Sequence, residues 1–113
     1  MSQFKVEAKE VNNVVVIATE GYLNNVGGEA IANVCNEKMA EGKNKFLINM
    51  GGTKVVNSIG VSILIEIIEK LQEVDGRLGY CNLAPIVSKT FTIMGISKYS
   101  SIFETEEEGV SAL

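Results

Sequence analysis

No histidine occurs in the 113 residues. That removes the Ser-His triad, a histidine general base and the usual zinc ligand sets. Aspartate is almost as scarce: Asp75 is the only one among fourteen acidic residues. A two-carboxylate hydrolytic site would therefore need glutamates, and Glu66, Glu69, Glu73 and Glu106 to Glu108 fall on what read as solvated helix faces. The chain is accordingly read as non-catalytic, with no metal and no cofactor. Arginine appears once, as Arg77, and the nine lysines are scattered. With a net charge of −4 and a pI near 4.8 there is no basic face for nucleic acid. No apolar run approaches the ~18–20 residues of a membrane span, and the polar Met1-Ser2-Gln3 start is unlike a signal peptide. A cytoplasmic protein is expected. The two cysteines, Cys35 and Cys81, lack CxxC spacing and sit within apolar patterns, so both are expected as buried core thiols.

What is present reads as alternating strands and helices in one domain, residues 1–113, with 46% hydrophobic residues and no repeat or low-complexity tract. Phe4, Val6 and Ala8 alternate with polar residues, and Asn12-Asn13 turns the chain into Val14 to Ala18, an antiparallel hairpin. Glu20 to Gly28, with Gly21, Asn24, Asn25, Gly27 and Gly28, reads as a loop. Ile31, Val34, Cys35 and Met39 then recur at helical spacing, ending near Gly42. Phe46 to Met50 is the nearly continuous apolar run of a strand covered on both faces. A long helix runs from Ser58 to about Val74. Asp75-Gly76 turns into a strand, Leu78 to Leu83, and Pro85 opens a helix with Ile86, Phe91, Ile93 and Met94 inward, closed by Gly95. Ser101 to Phe103 fits an edge strand, and Thr105 to Glu108 fits a capping box for a terminal helix.

Along the long helix, Gly60, Val61, Ile63, Leu64, Ile67, Ile68, Leu71 and Val74 fill one arc that must lie on the sheet, and Gly60 within it allows close backbone packing. Ser58, Ser62, Glu66, Glu69, Gln72 and Glu73 fill the other. Ile65 projects into that polar arc and Ile59 sits at its border. Either neighbouring loops cover them, which periodicity alone favours, or they belong to a partner-binding patch around Ser58. Ser58 itself has two readings. Asn57 or Ser58 caps the helix and stabilises it by ~1 kcal/mol. Alternatively Ser58 is a phosphorylation switch, since a helix N-terminus with free N–H groups favours a phosphate. The Gly27-Gly28 and Gly51-Gly52 pairs lack phosphate-loop spacing and read as turns.

Over nearly its whole length the chain resembles the STAS domain, most closely the free-standing bacterial anti-sigma factor antagonists. Glu20-Gly21-Tyr22-Leu23-Asn24 is similar to the family's Gly-Glu-Leu-Asp turn. Phe46 to Met50 followed by Val55-Val56-Asn57-Ser58-Ile59-Gly60-Val61 is similar to its strand, loop and Asp-Ser-Ser/Ala-Gly-Leu motif. Leu83 to Val87, Met94-Gly95-Ile96 and Ile102 to Thr105 follow its C-terminal pattern. The resemblance implies an α/β fold with a mixed sheet of four to five strands, an N-terminal antiparallel hairpin and helices mainly on one face. It also implies an antagonist that binds an anti-sigma factor serine kinase until that kinase phosphorylates Ser58. The expected contact residues are Asn24, Asn57, Ser58, Ile59, Ser62, Ile65 and Glu66.

The chain departs from the family at three positions that usually carry aspartate, here Asn24, Asn49 and Asn57, and at Ile59, the second residue of the serine pair. These changes bear on what a kinase reads and leave the fold untouched. A second reading is therefore an unphosphorylated STAS subunit of a larger signalling or transport assembly, with Ser58 a cap only. Self-association stays open. A receiver domain is excluded because the third strand ends in Asn49-Met50 and offers no acceptor aspartate.

Overall fold

The computed structural model describes residues 3–113, so the Met1-Ser2 start lies outside them. The first two strands, β1 (Lys5–Val11) and β2 (Val14–Glu20), form the expected antiparallel hairpin, with Val11 opposite Val14. Its two-residue turn holds Asn12 and Asn13 at φ 49° and 69°. A tight hairpin turn of this kind needs left-handed backbone at both positions, which asparagine tolerates better than most residues. The chain continues through α1 (Asn25–Ala40), β3 (Lys45–Gly52), α2 (Ser58–Gln72), β4 (Arg77–Cys81), α3 (Pro85–Ile93), a 3-10 turn (Ile96–Lys98), β5 (Ser101–Phe103) and α4 (Glu106–Ala112). The five strands lie in chain order, and every pairing after the hairpin is parallel.

Two cores flank this sheet. Val15 and Ile17 of β2, Phe46, Ile48 and Met50 of β3, and Leu78 and Tyr80 of β4 point to one face, under α1, α2 and α3. The alternate residues Val14, Val16, Leu47 and Cys81 point to the other, where Val110 and Leu113 of the C-terminal segment cover them. The continuous apolar runs of β2 and β3 follow from this burial on both faces. Helices therefore lie chiefly on one face, with α4 alone on the other. Among the described residues no helix is long and apolar enough to cross a membrane. Cys35 and Cys81 are free and buried, as expected.

Four expectations are corrected. Gly51 and Gly52, read as turn residues, close strand β3, with Gly52 opposite Glu20. The stretch ending at Gly28 is not all loop: α1 begins at Asn25, and Gly27 and Gly28 lie in its first turn. Their reason is close packing rather than turn geometry, for a Cβ on Gly27 would sit 2.8 Å from the Phe4 ring and one on Gly28 2.8 Å from Ile63 Cδ1. In α3, Val87 and Phe91 are buried, whereas Ile86 and Ile93 are 60% and 73% exposed. A nine-residue helix seats only a narrow i, i+4 face, and Phe91 fills it edge-on against Tyr80 with ring centroids 5.0 Å apart. Val74, assigned to the α2 arc, lies beyond the helix end and is half exposed.

Candidate functional site

The N-termini of α1 and α2 are stitched together by a short parallel bridge between Leu23 and Val56. The Leu23 N–H donates to the Val55 carbonyl at 2.9 Å, and the Asn57 N–H donates to the Leu23 carbonyl at 3.0 Å. Such an approach leaves no room for a side chain at Gly60. A Cβ there would strike the Leu23 carbonyl oxygen and lie 2.8 Å from its carbon. Gly28 gives way on the α1 side, where an added Cβ would lie 3.3 Å from the Gly60 carbonyl oxygen. Gly60 therefore packs against the Leu23 backbone, not on the sheet as the helical arc implied.

Both helices carry asparagine caps. Asn57 Oδ1 accepts from the Gly60 N–H at 2.8 Å, and Asn24 Oδ1 accepts from the Gly27 N–H at 3.1 Å. Neither helix has an acidic residue in its first turn. Because Asn57 makes the cap, Ser58 occupies the first helical position with an exposed side chain and no capping duty. One turn on, the exposed Ser62 donates its hydroxyl to the Ser58 carbonyl at 2.8 Å. This site offers a hydroxyl on a helix N-terminus, where the free N–H groups and the dipole favour added negative charge.

Of the anticipated contact residues, Asn24, Asn57, Ser58 and Ile59 gather at this end, with Ser62 beside them. Ile59 is 56% exposed. Glu66 lies two turns along α2 and is exposed. Ile65 is half-buried, packs against the main core and lines a groove with Met94, Ile96 and Tyr99. The segment around the 3-10 turn covers it, as the periodicity had favoured. Sequence reasoning missed Tyr22, Val26 and Val55, which are 45%, 60% and 55% exposed on the two bridged segments. Their one legible signal is apolar character beside a helix cap, where no strand or helix period calls for it.

The third asparagine belongs elsewhere. Asn49 lies at the end of β3 on the α4 side, where its Nδ2 donates to Glu106 Oε1 at 3.1 Å. Its Oδ1 accepts from the Gly51 N–H at 3.0 Å and from Asn82 Nδ2 at 3.1 Å. Lys9 reaches the same carboxylate at 2.9 Å. The Lys9 ammonium and then the Asn49 amide hold the Glu106 carboxyl below its ordinary pKa. An aspartate at 49 would set a second carboxylate against Glu106, whereas the amide donates to it. Burial pushes the Cys35 thiol up to about 12, and burial with the Glu106 charge pushes Cys81 up to about 11. Neither forms a thiolate at neutral pH. No group of three or more His, Cys, Asp or Glu side chains stands ready to hold a metal among the described residues.

Known proteins share this fold. A Bordetella bronchiseptica protein named as an anti-sigma factor antagonist, BtrV, is 19% identical over 108 residues, covering 96% of this chain and 93% of its own. An anti-sigma factor antagonist from Mycobacterium paratuberculosis superimposes with a TM-score of 0.85 at 19% identity, covering 97% of this chain and 93% of that one. The Bacillus cell fate determinant SpoIIAA in its phosphorylated form gives a TM-score of 0.72 at 24% identity, covering 97% and 98%. The sequence pattern of the STAS domain matches residues 5–109, and the chain belongs to the STAS domain family.

Proposed function

We propose that this chain is a non-catalytic anti-sigma factor antagonist, one domain over residues 1–113. In this reading it binds an anti-sigma factor serine kinase over Asn24, Asn57, Ser58, Ile59 and Ser62, with Glu66 further along α2, and phosphorylation of Ser58 switches it off. One observation carries the proposal: Asn57 satisfies the helix cap, which leaves the Ser58 hydroxyl exposed and chemically free. The similarity to relatives named as antagonists, one of them in a phosphorylated form, supports it.

The same position explains how a switch works without unfolding. A phosphate adds about −1.5 to −2 charge at neutral pH. At the start of α2 it gains ~0.3–1 kcal/mol from the dipole and free N–H groups, so the fold tolerates it. Across an interface that charge must be desolvated against a face shaped for a neutral hydroxyl, at a cost of about 2–5 kcal/mol. Affinity then falls by orders of magnitude.

The test incubates the candidate kinase and ATP with wild type, Ser58→Ala and Asn57→Asp, with phosphosite mapping and binding measured on each. Wild type should take one phosphate at Ser58 and lose binding, and Ser58→Ala should bind while resisting phosphorylation. Phosphate on Asn57→Asp but not on wild type would instead support the unphosphorylated scaffold.

A further inference from the structure

Residues 21–28 and 55–65 contain no charged side chain, in a sequence that is 21% Asp, Glu, Lys and Arg. The Leu23–Val56 bridge lays these two distant stretches side by side. Charge stops at their borders: Glu20 and Glu29 bracket the first, Lys54 and Glu66 the second. Within them Val26, Val55 and Ile59 are each more than half exposed, and Tyr22 nearly so. Single exposed apolar residues are ordinary. Four in a charge-free zone beside the exposed Ser58 form a patch.

The cap amides give the patch a direction. Asn24 and Asn57 spend their Oδ1 atoms on the Gly27 and Gly60 N–H groups. Each therefore turns its Nδ2, which can only donate, away from the cap. Neither Nδ2 has a hydrogen-bond partner among the described residues. Aspartate would cap the helices equally well, but would present a charged acceptor where these amides present a donor.

We propose that the protein partner meets this surface with an uncharged, apolar face that supplies carbonyl acceptors to Asn24 and Asn57, and that no ion pair forms around Ser58. The proposal rests on the antagonist reading above. Its reason is electrostatic: an ammonium or guanidinium brought onto this zone would lose water and find no carboxylate to replace it. The two asparagines are thus specificity determinants that reject a partner built to read carboxylates at these positions. A phosphate on Ser58 becomes the one full charge in the zone, which sharpens the switch.

The experiment titrates the unphosphorylated full chain with its anti-sigma factor kinase by calorimetry at about 50 and about 500 mM NaCl, a span over which surface ion pairs are strongly screened. Wild-type affinity should change less than about threefold between the two salts. Asn24→Asp and Asn57→Asp should each weaken binding by about tenfold or more while Tm stays unchanged. A wild-type affinity that falls tenfold or more with salt, or an aspartate variant that binds as well as wild type, overturns this inference and leaves the antagonist reading standing. No complex at either salt overturns both. A chain that dimerises alone in sedimentation and becomes monomeric as Ile59→Glu overturns it in favour of a second copy as the occupant.

Discussion

Replacing Gly60 with alanine sets local propensity against tertiary packing. Gly60 sits in the first turn of α2, where alanine favours the helix by about 1 kcal/mol over glycine. Propensity therefore predicts a more stable protein. The added Cβ, however, runs into the Leu23 carbonyl oxygen and lies 2.8 Å from its carbon and 3.0 Å from Leu23 Cγ. Two of those atoms are backbone and cannot swing away. Relief requires the two segments to part, which strains or breaks the Leu23–Val55 and Asn57–Leu23 hydrogen bonds and the Asn57 cap. Each bond contributes about 1 kcal/mol, and forced overpacking costs about 1–3 kcal/mol. Allowing partial retention of the bonds and subtracting the helix gain, the net loss is about 2–4 kcal/mol. For a domain of this size that lowers Tm by roughly 10 °C. Thermal and urea denaturation followed by circular dichroism measure it. Gly42→Ala is the control: Gly42 has φ 92° with nothing within 4 Å of the added Cβ, so only backbone strain of about 1 kcal/mol is incurred. A Gly60→Ala protein as stable as wild type, or less affected than Gly42→Ala, would refute the reasoning.

Three further outcomes follow from particular contacts. Ile65→Glu, which a solvated Ile65 would tolerate, should lower stability by about 1–2 kcal/mol because Ile65 packs half-buried against the core; unchanged denaturation beside lost binding would return it to the docking patch. Tyr80→Phe should leave stability unchanged within about 1 kcal/mol or raise it, by the same melts. The Tyr80 hydroxyl is buried without a well-formed hydrogen bond, burial raises its pKa with Ser100 only partly offsetting this, and the Ser100 hydroxyl is committed to the Ile96 carbonyl at 2.7 Å; a clear loss would show a bond the geometry does not. Glu106 has a folded pKa below its ordinary 4.5, so its contribution is present above that pH and is lost as pH falls through the lowered value. Lys9→Met should flatten this acid loss by under ~1 kcal/mol, since Lys9 is largely exposed, and denaturation midpoints between neutral pH and about pH 3 measure it.

Local chemistry was sufficient for much of this protein. The Asn12-Asn13 turn, the two-sided apolar run of β3, the Asp75-Gly76 turn, Pro85 opening α3 and the Thr105 cap of α4 each depend on residues close to one another in the chain. Sequence reasoning reached them for that reason, and it placed Ser58 at the start of α2 by the same route. It could not tell whether Asn57 or Ser58 capped and which of them stayed free, because the two are comparable cap candidates until φ and ψ are known. It read close backbone packing at Gly60 but could not name the segment that approaches, nor see that Gly27 and Gly28 exist for the same reason. The atoms they make room for belong to Phe4, Ile63 and Leu23, which nothing local links to them. Ile65 is covered only because the segment from Met94 to Tyr99 returns over α2, and the Asn49 amide finds a carboxylate only because Glu106 arrives 57 residues later. Periodicity and capping are properties of one stretch of chain. The neutral patch around Ser58 is a property of two stretches, and only the tertiary bridge at Leu23 and Val56 makes them one surface.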